Sequence, residues 1–233
     1  MNLGLLFCQI DEVTVRVSVA SGRTGLWWEP SDATIDGLAD DMTIGASARL
    51  EETVQGHRLD VSMASFFQSS PRAAEDIVTA VVAALGSIDR WSSGPFVDLY
   101  GGAGLFSVTV APHDREVIVV EANPFAADDA RRNLRERPAT VVTSRVEDWL
   151  PVQAAVVVAD PARDGLRAAG VDVIERTGTT VLALVSCDPA SLGRDARLLG
   201  EAGFDLDWVE VLDPFPHTHH VEAVSRFVRR ERI

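Results

Sequence analysis

Apolar and polar positions change rhythm along this chain. V-T-V-R-V-S-V-A (13–20) alternates with period two, which predicts a half-buried strand. R-L-D-V-S-M (58–63) predicts another strand after a Q-G turn at 55–56. Between them, E-P-S-D-A-T-I-D-G-L-A-D-D (29–41) is acidic and reads as loop. Residues 1–62 are therefore expected to form a small β-rich appendage. From Pro71 the pattern becomes regular. P-R-A-A-E-D-I-V-T-A-V-V-A-A-L (71–85) has helical spacing and opens on proline, a favoured first-turn residue. Short apolar runs follow at 96–100, 117–121, 139–143, 154–159, 180–186 and 206–212, with helical stretches notably at 124–136 and 189–201. Such alternation predicts parallel strands joined by crossover helices. V-E-A-V-S-R-F-V-R-R (221–230) predicts a terminal strand, antiparallel to the last parallel one. The expected class is α/β: a mostly parallel seven-stranded sheet over residues 63–233 behind the appendage.

Length and composition narrow the reading. At 233 residues there is room for one α/β domain and a small addition. The 46% hydrophobic content supports a sizeable core. The opening M-N-L-G-L-L-F-C-Q-I carries no basic stretch or long apolar span, so neither signal peptide nor membrane helix is expected. Cys8 and Cys187 are far apart, which excludes a disulfide framework and a four-cysteine zinc or iron–sulfur site within this chain. A reduced, cytoplasmic setting and a monomer are expected. The net charge of −14 argues against a nucleic-acid partner, because backbone phosphates demand positive charge. Local charge qualifies that argument. Every basic residue but histidine is arginine, and Arg131, Arg132, Arg135 and Arg137 form one cluster, Arg226, Arg229, Arg230 and Arg232 another. These read first as solvated faces, with an RNA-facing patch as the alternative.

In sheets of this kind ligands bind beyond the carboxyl ends of the strands. Asp98 to Gly104, Glu121, Asp160, Ser186 and Cys187 fall there. D-L-Y-G-G-A-G (98–104) supplies glycines for a tight turn and close backbone approach to a ligand. Glu121 ends the next strand, about twenty residues on, where a carboxylate can accept from a ribose diol. The dinucleotide spacing G-x-G-x-x-G is not met, because position 107 is Ser. Asp160 opens D-P-A-R-D-G-L, where a capping or loop role reads equally well. Cys187 precedes D-P-A-S-L, a helix start, and a helix N-terminus is expected to lower its pKa; a buried, inert cysteine is the plainer alternative. Histidines 217, 219 and 220 lack a helical i, i+4 pair, so no metal site is expected.

Taken in order, S-F-F-Q-S-S (65–70), D-L-Y-G-G-A-G-L-F (98–106), V-V-E-A-N-P (119–124), D-D-A-R-R-N (128–133), D-P-A-R-D-G-L (160–166), V-S-C-D-P-A-S-L-G-R-D (185–195) and D-P-F-P-H-T-H-H-V-E (213–222) resemble the RNA uracil-5-methyltransferase family over roughly residues 58–230. The resemblance implies a Rossmann-like class I S-adenosylmethionine-dependent methyltransferase fold, that cofactor, and a target uridine in structured RNA (tRNA or rRNA). It implies that Gln68, Tyr100, Glu121 and Asp160 contact the cofactor, that Cys187 is the nucleophile and that Glu222 accepts a proton. The glycine turn adds Asp98, Gly101 and Gly104 to the expected cofactor set. These residue types suit the chemistry. Carbon 5 of uracil is a poor nucleophile; thiolate addition at carbon 6 activates it, and a base then removes the carbon 5 proton so that the thiol can leave. A base stacked in a helix is out of reach, so a loop or extruded uridine is expected. The chain departs from the pattern at Leu105, where the family usually has asparagine, and at Gly101, where cysteine is common. Many members begin with an RNA-binding β-barrel, some with an iron–sulfur cluster; neither is read here, and the central region is shortened. A small-molecule methyltransferase and a non-catalytic relative that binds the cofactor or RNA are the rival readings.

Overall fold

The computed structural model describes residues 10–32, 35, 37–87, 91–218 and 220–230. Cys8, His219 and Arg232 lie outside them. The chain opens with β1 (Glu12–Val17) antiparallel to β2 (Thr24–Glu29), which pairs in parallel with the short β3 (Thr43–Ile44). A hairpin follows, β4 (Arg49–Val54) and β5 (His57–Ser62). Its two-residue turn, Gln55-Gly56, has positive φ at both positions, matching the strands' twist. Helix α1 (Pro71–Leu85) starts where proline fits best, and the Ser70 hydroxyl accepts from the Ala73 amide at 3.1 Å.

The remaining elements are β6 (Phe96–Leu99), α2 (Leu105–Thr109), β7 (Val117–Glu121), α3 (Pro124–Asn133), β8 (Ala139–Thr143), β9 (Val156–Ala159), α4 (Arg167–Arg176), β10 (Val181–Ser186), α5 (Pro189–Glu201), β11 (Phe204–Leu212) and β12 (Glu222–Arg229). Seven strands form one sheet in the order β11-β12-β10-β9-β6-β7-β8. All neighbours from β10 to β8 are parallel, and β12 is antiparallel to both β10 and β11. The chain reverses its winding between β6 and β9, the point where such sheets open a crevice for ligands.

Strands β6 and β9 are buried at every position, as expected of a parallel sheet covered on both faces. Side-chain alternation sorts the core into two clusters. Phe96, Val117, Val119, Val156, Val158, Ala183, Val185 and Val224 face α1 and the β4–β5 hairpin. Val97, Leu99, Ile118, Val120, Val157, Leu182, Leu184 and Phe227 face α4 and α5. Val54, Leu59 and Val61, from the segment read as the appendage, belong to the first cluster.

Three elements depart from the sequence reading. The helix expected over 124–136 ends at Asn133, and Pro138 disfavours helical backbone at the residue before it. The run 206–212 starts at Phe204, and its strand, β11, bonds only to β12 at the sheet's edge rather than joining the parallel ladder. Helix α4 is a crossover helix to which the sequence pattern assigns no range, because Gly170 and the β-branched Val171, Val173 and Ile174 blur helical periodicity.

Candidate active site

The same alternation aligns the candidate residues. Glu121 shares parity with Val117 and Val119, Asp98 with Phe96, and Glu222 with Val224. Carried one residue past β9 and β10, it puts Asp160 with Val158, and Cys187 with Val185. Ser186 pairs with Ala223 across β10 and β12, so the next step of that register sets Cys187 opposite Glu222. Five side chains from five strands thus gather at one end of one face.

A cavity of about 660 Å³ opens there. Gln68, Tyr100, Gly101, Glu121, Asp160, Cys187 and Glu222 all line it. Asp98 and Gly104 do not. Asp98 is fully buried beneath the turn, where its Oδ2 accepts from the Ser107 amide (3.1 Å) and hydroxyl (2.6 Å). Gly104 caps α2 and donates to the Gly101 carbonyl at 2.8 Å. Both shape the turn from behind. Gly101 has no room for a side chain: a Cβ there would lie 2.6 Å from Val119 Cγ1. That packing accounts for glycine where the resembled family often has cysteine.

Glu121 is anchored at both oxygens. It accepts from the Gly102 amide at 2.8 Å and the Asn123 amide at 2.6 Å. Tyr100 sits at φ 58°, and its hydroxyl donates to Glu147 at 3.2 Å. The segment bearing Phe66, Phe67 and Gln68 is fixed at its start by Asp129 of α3. Asp129 accepts from the Ser62 amide at 2.8 Å and the Ser65 hydroxyl at 2.7 Å, and pairs with Arg49 at 2.6 Å. Arg16 of β1 adds bonds to the Ser62 and Ser65 carbonyls at 3.1 and 2.6 Å.

Crowded carboxyls set the electrostatics. Burial first, then the neighbouring Glu222 and Asp98, raise Asp160 from 3.8 to about 8. Burial chiefly raises Asp98 from 3.8 to about 7, against the pull of its Ser107 bonds. Burial also raises Glu222. The Cys187 thiol moves up, contrary to the lowering expected from a helix start. Its own burial is the largest cause, followed by Glu222 and Asp160, while a backbone hydrogen bond and Arg163 pull the other way. The helix end itself is already partly satisfied, since the Asp188 carboxylate accepts from the Ser191 amide at 2.7 Å.

Several lining residues escaped the sequence reading, among them Phe66, Asn123, Arg163 and Phe215. Phe66 is 76% exposed, and Phe215 meets His220 edge-on at a centroid distance of 6.2 Å. Arg163 and Asn123 sit inside motifs already singled out, and their charge and amide were the signals available. Arg163 differs from the chain's other arginines. It alone among the described arginines has no hydrogen bond or ion pair. Within the two clusters, Arg131 bonds Thr143, Arg132 pairs with Asp128, Arg137 bonds the Ala111 and Pro112 carbonyls, Arg226 pairs with Asp207 and Arg230 with Asp205. Among the described residues no cluster of three or more acidic, His or Cys side chains is arranged to hold a metal ion. No helix among them is long and apolar enough to cross a membrane.

The strand order, the single reversed strand and the cavity at the switch point are those of the class I S-adenosylmethionine-dependent methyltransferase fold. The Pyrococcus abyssi tRNA (uracil-54, C5)-methyltransferase in complex with S-adenosyl-L-homocysteine superposes with a TM-score of 0.74 at 22% identity, over 92% of this chain and 58% of that one. M. jannaschii TYW2 in complex with AdoMet gives a TM-score of 0.60 at 16% identity, over 84% of this chain and 90% of that one. By sequence the chain is a relative of RNA methyltransferases. One from Bifidobacterium longum, itself uncharacterized, is 35% identical over 193 residues, covering 76% of this chain and 44% of the relative. Another, from Lactobacillus johnsonii, is 28% identical over 237 residues, covering 97% of this chain and 52% of the relative. The chain thus spans about half the length of the curated relatives it matches. No protein-family model matches it.

Proposed function

We propose that this chain methylates carbon 5 of a uridine in tRNA or rRNA, in the cytoplasm and as a monomer, with S-adenosylmethionine as methyl donor and without a metal. The observation that carries the reading is Cys187 facing Glu222 across β10 and β12, in the cavity that Glu121 and the glycine turn also line. The relatives' names and the uracil-directed neighbour support it.

The lining suits the cofactor. Glu121, Asp160 and Glu222 favour a ligand that carries positive charge, and Phe66, Phe67 and Phe106 supply apolar surface for a purine. Gln68, Tyr100, Glu121 and Asp160 would hold it. When bound, S-adenosylmethionine supplies an electrophilic methyl group. The chain's own residues act on the base. Cys187 Sγ adds to carbon 6 of uracil, and the displaced electron pair makes carbon 5 nucleophilic. After carbon 5 has been methylated, the Glu222 carboxylate removes its proton. The electron pair returns to form the 5,6 double bond and expels the thiolate. A Glu222 carboxyl raised by burial is a stronger base than an exposed one, as this step requires. Arg163 at the cavity is the cation available to offset the carboxylates around the thiol.

One observation favours a second reading, a small-molecule methyl acceptor: the described arginines of both basic clusters bond within the protein, in a chain of charge −14. Labelled-methyl transfer to total RNA, compared with RNA-free extract, separates the two. Label in RNA, lost in Cys187→Ala while calorimetry still detects cofactor binding, is the expected result. Label only in the RNA-free extract contradicts the RNA reading.

A further inference from the structure

Asp195 lies on α5, seven residues after the helix N-cap, and is 1% exposed. Its carboxylate does not reach the cavity. Oδ2 accepts from the Leu166 amide at 2.6 Å, and Oδ1 from the Arg167 amide at 3.2 Å. Arg194 donates to Oδ1 at 2.9 and 3.0 Å and to the Asp164 carbonyl at 2.5 Å. The segment from Asp164 to Arg167 is therefore fastened to α5 at three backbone groups. Gly165 makes the approach feasible. It has φ +67°, and a Cβ there would run into the Asp195 carboxylate. At its other end the loop is fixed by the Asp160 amide, which donates to the Leu99 carbonyl at 3.2 Å. Asp160 is thus held by the sheet, whereas Arg163 lies between that bond and the α5 clamp, in a turn that the Gly165 amide closes on the Ala162 carbonyl at 2.8 Å.

We propose that Asp195 is a positioning residue that holds Arg163 beside the Cys187 thiol. Helix α5 begins just after Cys187, so one helix sets both the thiol's strand end and the loop carrying its cation. The charged and titratable groups that face the thiol are Glu222 from β12, Asp160 from the end of β9 and Arg163 from the loop. Only Arg163 favours the thiolate among these side chains. The proposal rests on Cys187 being the reacting group, but its test needs neither RNA nor cofactor.

The test uses the full chain in a Cys8→Ser background, where Cys187 is the sole thiol. Iodoacetamide alkylation is followed against pH, because its rate tracks the thiolate fraction. Arg163→Gln is expected to raise the midpoint and slow alkylation at neutral pH by about threefold or more. Asp195→Asn should act in the same direction, and the double variant should be no slower than Arg163→Gln alone, since residues acting through one another are non-additive. Gly165→Ala, which pushes the loop off Asp195, should reproduce the shift and covers the case in which Asp195→Asn folds poorly. A shifted Arg163→Gln profile with wild-type profiles for folded Asp195→Asn and Gly165→Ala overturns the proposal, as does simple additivity. An unshifted Arg163→Gln profile overturns it too and removes Arg163 from the thiol's environment, leaving methyl transfer by Cys187 to be judged by its own assay.

Discussion

Glu121 tests the cofactor half of the cavity. Its oxygens already accept two amides, so its position is fixed before any ligand arrives. Glu121→Ala removes a charged acceptor and should weaken S-adenosylmethionine binding by about 1.5–3 kcal/mol, measured by calorimetry with the fold intact. Unchanged affinity would take Glu121 out of the site. Asp98 gives a stability prediction with a definite sign. Its carboxyl is raised from 3.8 to about 7 in the folded chain, so the folded state holds the proton longer than the unfolded state does. The unfolded chain therefore binds fewer protons between those values, and this group's contribution to stability falls as pH rises through the window. Asp98→Asn cannot ionise and keeps a carbonyl for the Ser107 bonds. Its melting temperature relative to wild type should increase from pH 4 to pH 7; a constant difference would show that Asp98 ionises freely. Activity should also rise with pH, because Glu222 works as an anion and Cys187 as a thiolate, and both groups are raised.

At the scale of elements, the links between the hairpin, α3 and the cavity wall matter most. Asp129 is fully buried and collects Ser62, Ser65 and Arg49. Asp129→Ala would leave two buried seryl groups without their acceptor and Arg49 paired with Asp128 alone, at about 3 kcal/mol, read as a melting-temperature loss on the order of 6–12 °C. Cofactor affinity should fall with it, because Gln68 is seated from this point. Full stability would mean that water replaces the carboxylate. Elements with a local start signal were legible in the sequence: α1 and α5 begin on proline after a capping Ser70 or Asp188, at the residues expected. Strand parity also carried over, which is why Glu121, Asp160, Cys187 and Glu222 meet in one cavity. Features made by distant residues were not legible. The raised Cys187 thiol comes first from its burial and then from Glu222 and Asp160 on other strands, and the Asp195 clamp joins α5 to a loop some thirty residues earlier. Strand β2, T-G-L-W-W-E, has no clean alternation, so its place beside β1 shows only in the pairing.

For the whole molecule, charge is the decisive property. A chain of charge −14 whose described arginines are otherwise bonded within the protein presents Arg163 as its unpaired arginine at the cavity. If RNA binds this chain alone, the logarithm of affinity should fall with the logarithm of salt at a slope near that of about one phosphate, on the order of −0.7 to −0.9. A slope several times steeper would reveal a basic surface that the described residues do not show.

The central claim is that Cys187 and Glu222 act in sequence on one uracil, and Glu222→Gln tests it most directly. The amide keeps the side chain's shape but cannot take the carbon 5 proton. Addition and methylation should proceed while release of the thiol stalls. Denaturing gels with methyl-labelled cofactor and RNA should then show a protein–RNA adduct that carries the label, absent when Cys187 is also replaced. Normal turnover by Glu222→Gln, with no adduct, would contradict the account.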